Sequence, residues 1–98
     1  MIRVALPYHL RNLARVEGEV SLDLGEDATL GQTLDALEAR YPALRGTIRD
    51  RATLHRRPFI RYYACSEDIS FAEHNELLPA PVRQGQEPLF IVGAMAGG

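Results

Sequence analysis

One helical stripe constrains what this sequence can fold into. Leu30, Leu34, Leu37 and Tyr41 fall at i, i+4, i+7 and i+11, while Gln32, Asp35, Glu38 and Arg40 take the other faces, so the segment reads as an amphipathic helix with one buried side. Thr29 and Gln32 have the spacing of a capping box, in which two side chains answer orphan backbone donors, and the helix is expected to begin at Leu30. Pro42 disfavours helical geometry at Tyr41 and ends or bends the helix there, with one more turn expected between Ala43 and Ile48. An apolar stripe must lie on another apolar layer, and 98 residues leave room for one domain with one core.

Strand patterns on either side supply that layer. Ile2, Val4 and Leu6 alternate with Arg3 and Ala5 until Pro7 stops the ladder, and Val20, Leu22 and Leu24 alternate in a second strand, antiparallel to the first. Residues 8–18 between them read as irregular. Phe59 to Cys65 is dense in aromatic and branched residues and reads as a third strand. Ser66-Glu67-Asp68 is expected to turn it into a short strand at Ile69-Ser70-Phe71, followed by a long loop carrying Pro79 and Pro81. Leu89-Phe90-Ile91-Val92 is continuously apolar, as in a central strand buried on both faces. The order β-β-α-β-β gives an α+β fold of the β-grasp (ubiquitin-like) kind, a mixed sheet of four to five strands with one main helix across one face.

Charge and composition exclude several functions. Apolar residues make up 46% and charged residues 24%, close to a globular average and unlike a disordered chain. A net charge of −2 without clustered lysines argues against nucleic acid as a main partner. All 11 basic side chains are arginine, which leaves no lysine for Schiff-base chemistry or for modification of the chain by itself. Cys65, the only cysteine, permits no internal disulfide and fits a reducing compartment. The opening residues lack the pattern of a signal peptide, and no apolar run approaches the roughly 20 residues of a membrane span, so a cytoplasmic protein without membrane contact is expected.

The sequence ends Gly93-Ala94-Met95-Ala96-Gly97-Gly98, six residues without a branched or charged side chain directly after the apolar strand. The expected organisation is a β-grasp domain over residues 1–92 and a flexible arm over residues 93–98. Glycine lacks a Cβ, so Gly97-Gly98 suits a narrow channel that delivers the terminal carboxylate to another protein; an idle terminus has the same composition. On a β-grasp order this ending resembles the MoaD/ThiS family of ubiquitin-like sulfur carriers, over nearly the whole chain. Leu34 to Leu44, closing on Tyr41-Pro42, is similar to the family's helix. Arg57-Pro58-Phe59-Ile60 to Glu67-Asp68-Ile69 is similar to its central hairpin, and Gly85-Gln86-Glu87 stands where the family has Gly-Asp-Glu.

The resemblance implies a carrier that catalyses nothing itself. A separate E1-like enzyme, using ATP, would adenylate the carboxylate of Gly98, and a sulfur donor would displace AMP to leave a thiocarboxylate for a sulfur-accepting enzyme. Gly98 would carry the sulfur and Gly97 and Ala96 would thread the channel, with no cofactor or metal held by the chain. Met95, Phe90 and Ile91 are candidate partner contacts, with core packing as the competing role for Phe90 and Ile91. Gly93-Ala94 stands where the molybdopterin branch has Pro-Pro, Gln86 replaces the family's Asp, and Pro88 replaces a branched residue. Ala96-Gly97-Gly98 is closer to carriers that feed synthesis of cysteine or related sulfur metabolites. A ubiquitin-like modifier and a non-catalytic β-grasp interaction module are the alternatives.

Other reactive side chains have simpler readings. Cys65 falls where the family's hairpin commonly has Asn and reads as a small residue at a strand end. His9, His55 and His74 lack the spacing of a metal motif and read as surface residues. Arg49, Arg51, Arg56 and Arg57 read as a solvated loop, and the pairs Glu26-Asp27 and Glu67-Asp68 as turn residues.

Overall fold

The computed structural model describes residues 1–93. Its elements are strand β1 (Ile2–Ala5), helix α1 (Tyr8–Ala14), strand β2 (Val20–Leu22), helix α2 (Leu30–Arg40), a 3-10 turn (Pro42–Leu44), strands β3 (Ile60–Ala64) and β4 (Glu67–Asp68), helix α3 (Ala80–Arg83) and strand β5 (Leu89–Gly93). The five strands form one mixed sheet in the order β2-β1-β5-β3-β4. β1 and β5 run parallel in the middle, and every other pairing is antiparallel. This is the β-grasp architecture, with β5 running to Gly93 opposite Ile60.

Helix α2 begins and ends where its side chains dictate. The Gln32 N–H donates to Thr29 Oγ1 and the Thr29 N–H donates to Gln32 Oε1, both at 3.1 Å, closing the capping box. Leu30, Leu34 and Leu37 are buried against the sheet's inner residues Ile2, Val4, Val20, Leu22, Ile60, Tyr62, Leu89 and Ile91. Each buried leucine contributes on the order of 1.5–3 kcal/mol. Leu44, at the end of the 3-10 turn, and Ile48 beyond it close the core.

Five expectations need correction. Residues 8–18 are not irregular: Tyr8–Ala14 is helical, with Pro7 C=O accepting from the Leu10 and Arg11 N–H groups at 3.0 and 2.9 Å. Leu10 is its buried anchor, and Pro7 supplies no side-chain cap to announce it. The hairpin turns earlier than expected, at Cys65-Ser66, whose φ angles of 52° and 66° match the type I′ class that right-twisted strands favour. Its return strand is therefore Glu67–Asp68. Past it, the Ile69 N–H still reaches Tyr62 O at 2.7 Å, but the next acceptor for the Tyr62 N–H is the Ser70 hydroxyl, at 2.9 Å, and Ile69-Ser70-Phe71 forms no strand. The loop at Pro79 and Pro81 holds a turn of helix, Ala80–Arg83, that buries Val82.

The fourth correction concerns β5. It is central, but Phe90 and Val92 are 44% and 43% exposed, whereas Leu89 and Ile91 are buried. One sheet face carries the core and the other carries no second layer among the described residues. Arg49 also departs from a solvated loop. It is 2% exposed, with Nε and Nη2 donating to Glu38 Oε2 and Oε1 at 3.0 and 2.9 Å, and Nη2 donating to Asp35 Oδ1 at 2.8 Å.

Candidate functional site

Period-two alternation in β5 separates the two neighbouring contact candidates. Ile91 lies in the core and Phe90 on the open face. Met95, Ala96, Gly97 and Gly98 lie outside the described residues. What the structure does show is the point from which that segment departs: Gly93, paired with Ile60 at the end of β5. The ring of His9 packs against Gly93, where an added Cβ would stand 2.8 Å from His9 Cε1. Helix α1 thereby braces the last residue of β5.

The open face is built from residues in register. Ala5, Phe90 and Tyr63 stand opposite one another across β1, β5 and β3, and Val92 stands opposite Arg61. Arg61 is held by Asp68, Nη1 to Oδ2 at 3.6 Å, and its guanidinium lies 5.7 Å from the ring centre of Phe71, which is 80% exposed. Arg56 flanks the same ring at 5.2 Å and is fixed by donating to Ser70 O and Ile60 O at 3.0 and 2.7 Å. Hydrogen bonds from the Ser70 hydroxyl and N–H, with Arg61 and Arg56 nearby, hold the Asp68 carboxyl below its ordinary range. The result is an aromatic and aliphatic strip edged by guanidinium groups, a surface suited to binding a protein.

Val92, Tyr63, Arg61 and Phe71 were not singled out in the sequence. Their signal was present in the alternation that pairs Val92 with Phe90 and Arg61 with Tyr63, but a continuous apolar run reads first as core. His9, His55 and His74 are exposed, and among the described residues no group of three His, Cys, Asp or Glu side chains is placed to hold a metal ion. Cys65 is exposed at the hairpin tip. Burial pushes the Tyr62 hydroxyl up to about 12, so it stays protonated in the core. A cavity of about 590 Å³ bounded by Met1, Asp23, Glu26, Asp27 and Arg83 touches none of the residues expected to function. Among the described residues no helix is long and apolar enough to cross a membrane.

No protein-family model matches the chain, and no curated protein matches it. Solved structures do. SAMP1 from Haloferax volcanii is 26% identical, with 98% of this chain and 97% of that one aligned at a TM-score of 0.75. The Amycolatopsis orientalis BexX/CysO complex contains a chain that is 23% identical over the full length of both, at a TM-score of 0.76. Mycobacterium tuberculosis CysO is 25% identical, with 97% of this chain and all of that one aligned at 0.72. Near-complete coverage in both directions makes the likeness one of whole domains. The chain has the β-grasp fold of ubiquitin-like proteins.

Proposed function

We propose that this protein is a ubiquitin-like sulfur carrier whose working group is the carboxylate of Gly98. The observation that carries the reading is β5: a central strand with an uncovered face of Phe90 and Val92 that leads straight into the residues ending Ala96-Gly97-Gly98. A partner that docks on the strand's open face lies beside Gly93, the last residue of β5. Likeness to CysO and to SAMP1, a small archaeal modifier protein, supports a carrier or modifier rather than a catalyst.

In this reading a separate E1-like enzyme joins the Gly98 carboxylate to the α-phosphate of ATP, releasing pyrophosphate. A carboxylate is a poor electrophile until its oxygen belongs to a good leaving group. Sulfide from a donor then attacks the carbonyl carbon, AMP departs, and the thiocarboxylate transfers sulfur to an accepting enzyme. Cysteine or a related sulfur metabolite is the favoured product, given Ala96 before the glycines and the CysO likeness; molybdopterin synthesis is the competing destination.

Intact mass spectrometry after incubation with ATP, sulfide and the host's E1-like enzyme tests this. A gain equal to exchange of one oxygen for sulfur, placed on Gly98 by fragmentation and lost on deleting Gly97 and Gly98, is expected. An unchanged mass, with the enzyme shown active on another carrier, overturns it. The modifier reading has the SAMP1 likeness in its favour and predicts conjugates through lysines of other proteins. This chain has no lysine, so it cannot form polymers of itself by that linkage.

A further inference from the structure

Phe59 occupies a backbone position made for glycine. The turn Arg57-Pro58-Phe59-Ile60 is closed by the Ile60 N–H donating to Arg57 O at 3.2 Å. Proline at its second position fixes φ near −65°, and Phe59 at its third has φ +72°, the type II pattern in which that third residue is usually Gly. A bulky side chain is strained there, and strain of this kind persists where something else requires the residue. Core packing does not supply the requirement, since Phe59 is 62% exposed. Leu54 also combines positive φ (62°) with an exposed side chain, but it lies in the loop closed by the Arg49–Arg56 bridge rather than beside β5.

The position of Phe59 suggests what the requirement is. Its neighbour Ile60 pairs with Gly93, so Phe59 stands at the end of the sheet where the C-terminal segment departs. Gly98 is five residues further on, and five residues span at most about 17 Å fully extended. The domain measures 26 Å across its narrowest dimension. An enzyme that takes the Gly98 carboxylate into its active site must therefore rest against this end of the sheet. We propose that Phe59 is a docking anchor for the activating enzyme, its ring filling an apolar recess beside the entrance to that enzyme's channel. Aromatic side chains dominate such anchors because they bury a large rigid area at small entropic cost. The inference rests on the reading of Gly98 as the activated residue.

ATP–pyrophosphate exchange by the host's E1-like enzyme, measured against carrier concentration, tests it together with thermal melting of each variant. Phe59→Ala and Phe59→Gly both remove the ring and should each raise KM about tenfold, with kcat little changed. Only glycine relieves the strain, so Phe59→Gly should melt about 4 °C above Phe59→Ala. Leu54→Ala should leave KM unchanged. A wild-type KM in either Phe59 variant, or a KM that follows melting temperature instead of ring loss, overturns the proposal. A wild-type protein that the enzyme does not activate, although it activates another carrier, overturns the underlying reading and the anchor with it.

Discussion

Arg49→Met is expected to destabilise the domain by about 3–5 kcal/mol, because it strands a buried carboxylate. The Arg49 side chain is 2% exposed and grips both oxygens of Glu38, itself 11% exposed, at 2.9 and 3.0 Å. Burial lowers the guanidinium's pKa, and its bonds to Glu38 and Asp35 more than offset this, leaving it above the ordinary arginine range. A base with a raised folded pKa contributes its stability in full below its unfolded pKa, so the guanidinium stays charged at the neutral pH of the measurement. Methionine keeps the apolar volume of the arginine stem, which isolates the charge effect. At about 4–8 °C per kcal/mol for a domain of this size, the melting temperature should fall by roughly 12–40 °C.

The two carboxylates should respond differently despite similar distances. Asp35 lies 2.8 Å from Nη2, but its side chain is 65% exposed, so Asp35→Asn should cost under about 1 kcal/mol. Removing both buried charges with Glu38→Gln and Arg49→Met together should recover most of the loss, since no unpaired ion remains. Arg49 Nη1 is buried without a partner, which already offsets part of the pair's benefit. Melting followed by far-UV circular dichroism, with urea titration at neutral pH, measures all four proteins. A loss below about 1 kcal/mol in Arg49→Met, or a double variant no better than the single, would refute the reasoning.

Three further outcomes are expected. Cys65→Asn with Ser66→Gly places the preferred residues at two positive-φ positions and should raise stability by about 1–2 kcal/mol in urea titration; an unchanged midpoint would count against the turn assignment. Gly31→Ala should lower the melting temperature although alanine favours helices, because its Cβ would stand 2.9 Å from the backbone oxygen of His74, and a rise would refute that close approach. The depressed folded pKa of Asp68 contributes stability above the ordinary carboxylate range that is lost as pH falls through the folded value; Asp68→Asn should flatten the stability profile below about pH 4, and an equally steep profile would refute the link.

Local chemistry decided how much of the fold the sequence disclosed. Helix α2 was legible because Thr29 and Gln32 mark its start, Pro42 its end, and three leucines its buried side. Helix α1 carries one buried leucine and no side-chain cap, so nothing within residues 8–18 outweighed an irregular reading. The hairpin turn is not legible because Cys65 and Ser66 do not advertise the positive φ angles that they adopt. The burial of Arg49 is not legible because only the tertiary fold brings Glu38 and Asp35 to it, from 11 and 14 residues away.

The half-open face of β5 is hidden in the sequence for a different reason, and it bears on function. Leu89 and Ile91 suffice for the core, and a strand facing water on one side would ordinarily place polar residues at 90 and 92. Phe90 and Val92 exceed what folding requires, as Phe59 does at its strained turn. An apolar residue that the core does not use raises the risk of aggregation, so its presence on an open face points to a second demand on the same position. Here that demand coincides in space with the departure of the C-terminal segment at Gly93. Thus, on the proposed carrier function, Phe90 and Val92 serve a docking face rather than the core, and the run from Gly93 to Gly98, without a branched or charged side chain, fits the same proposal.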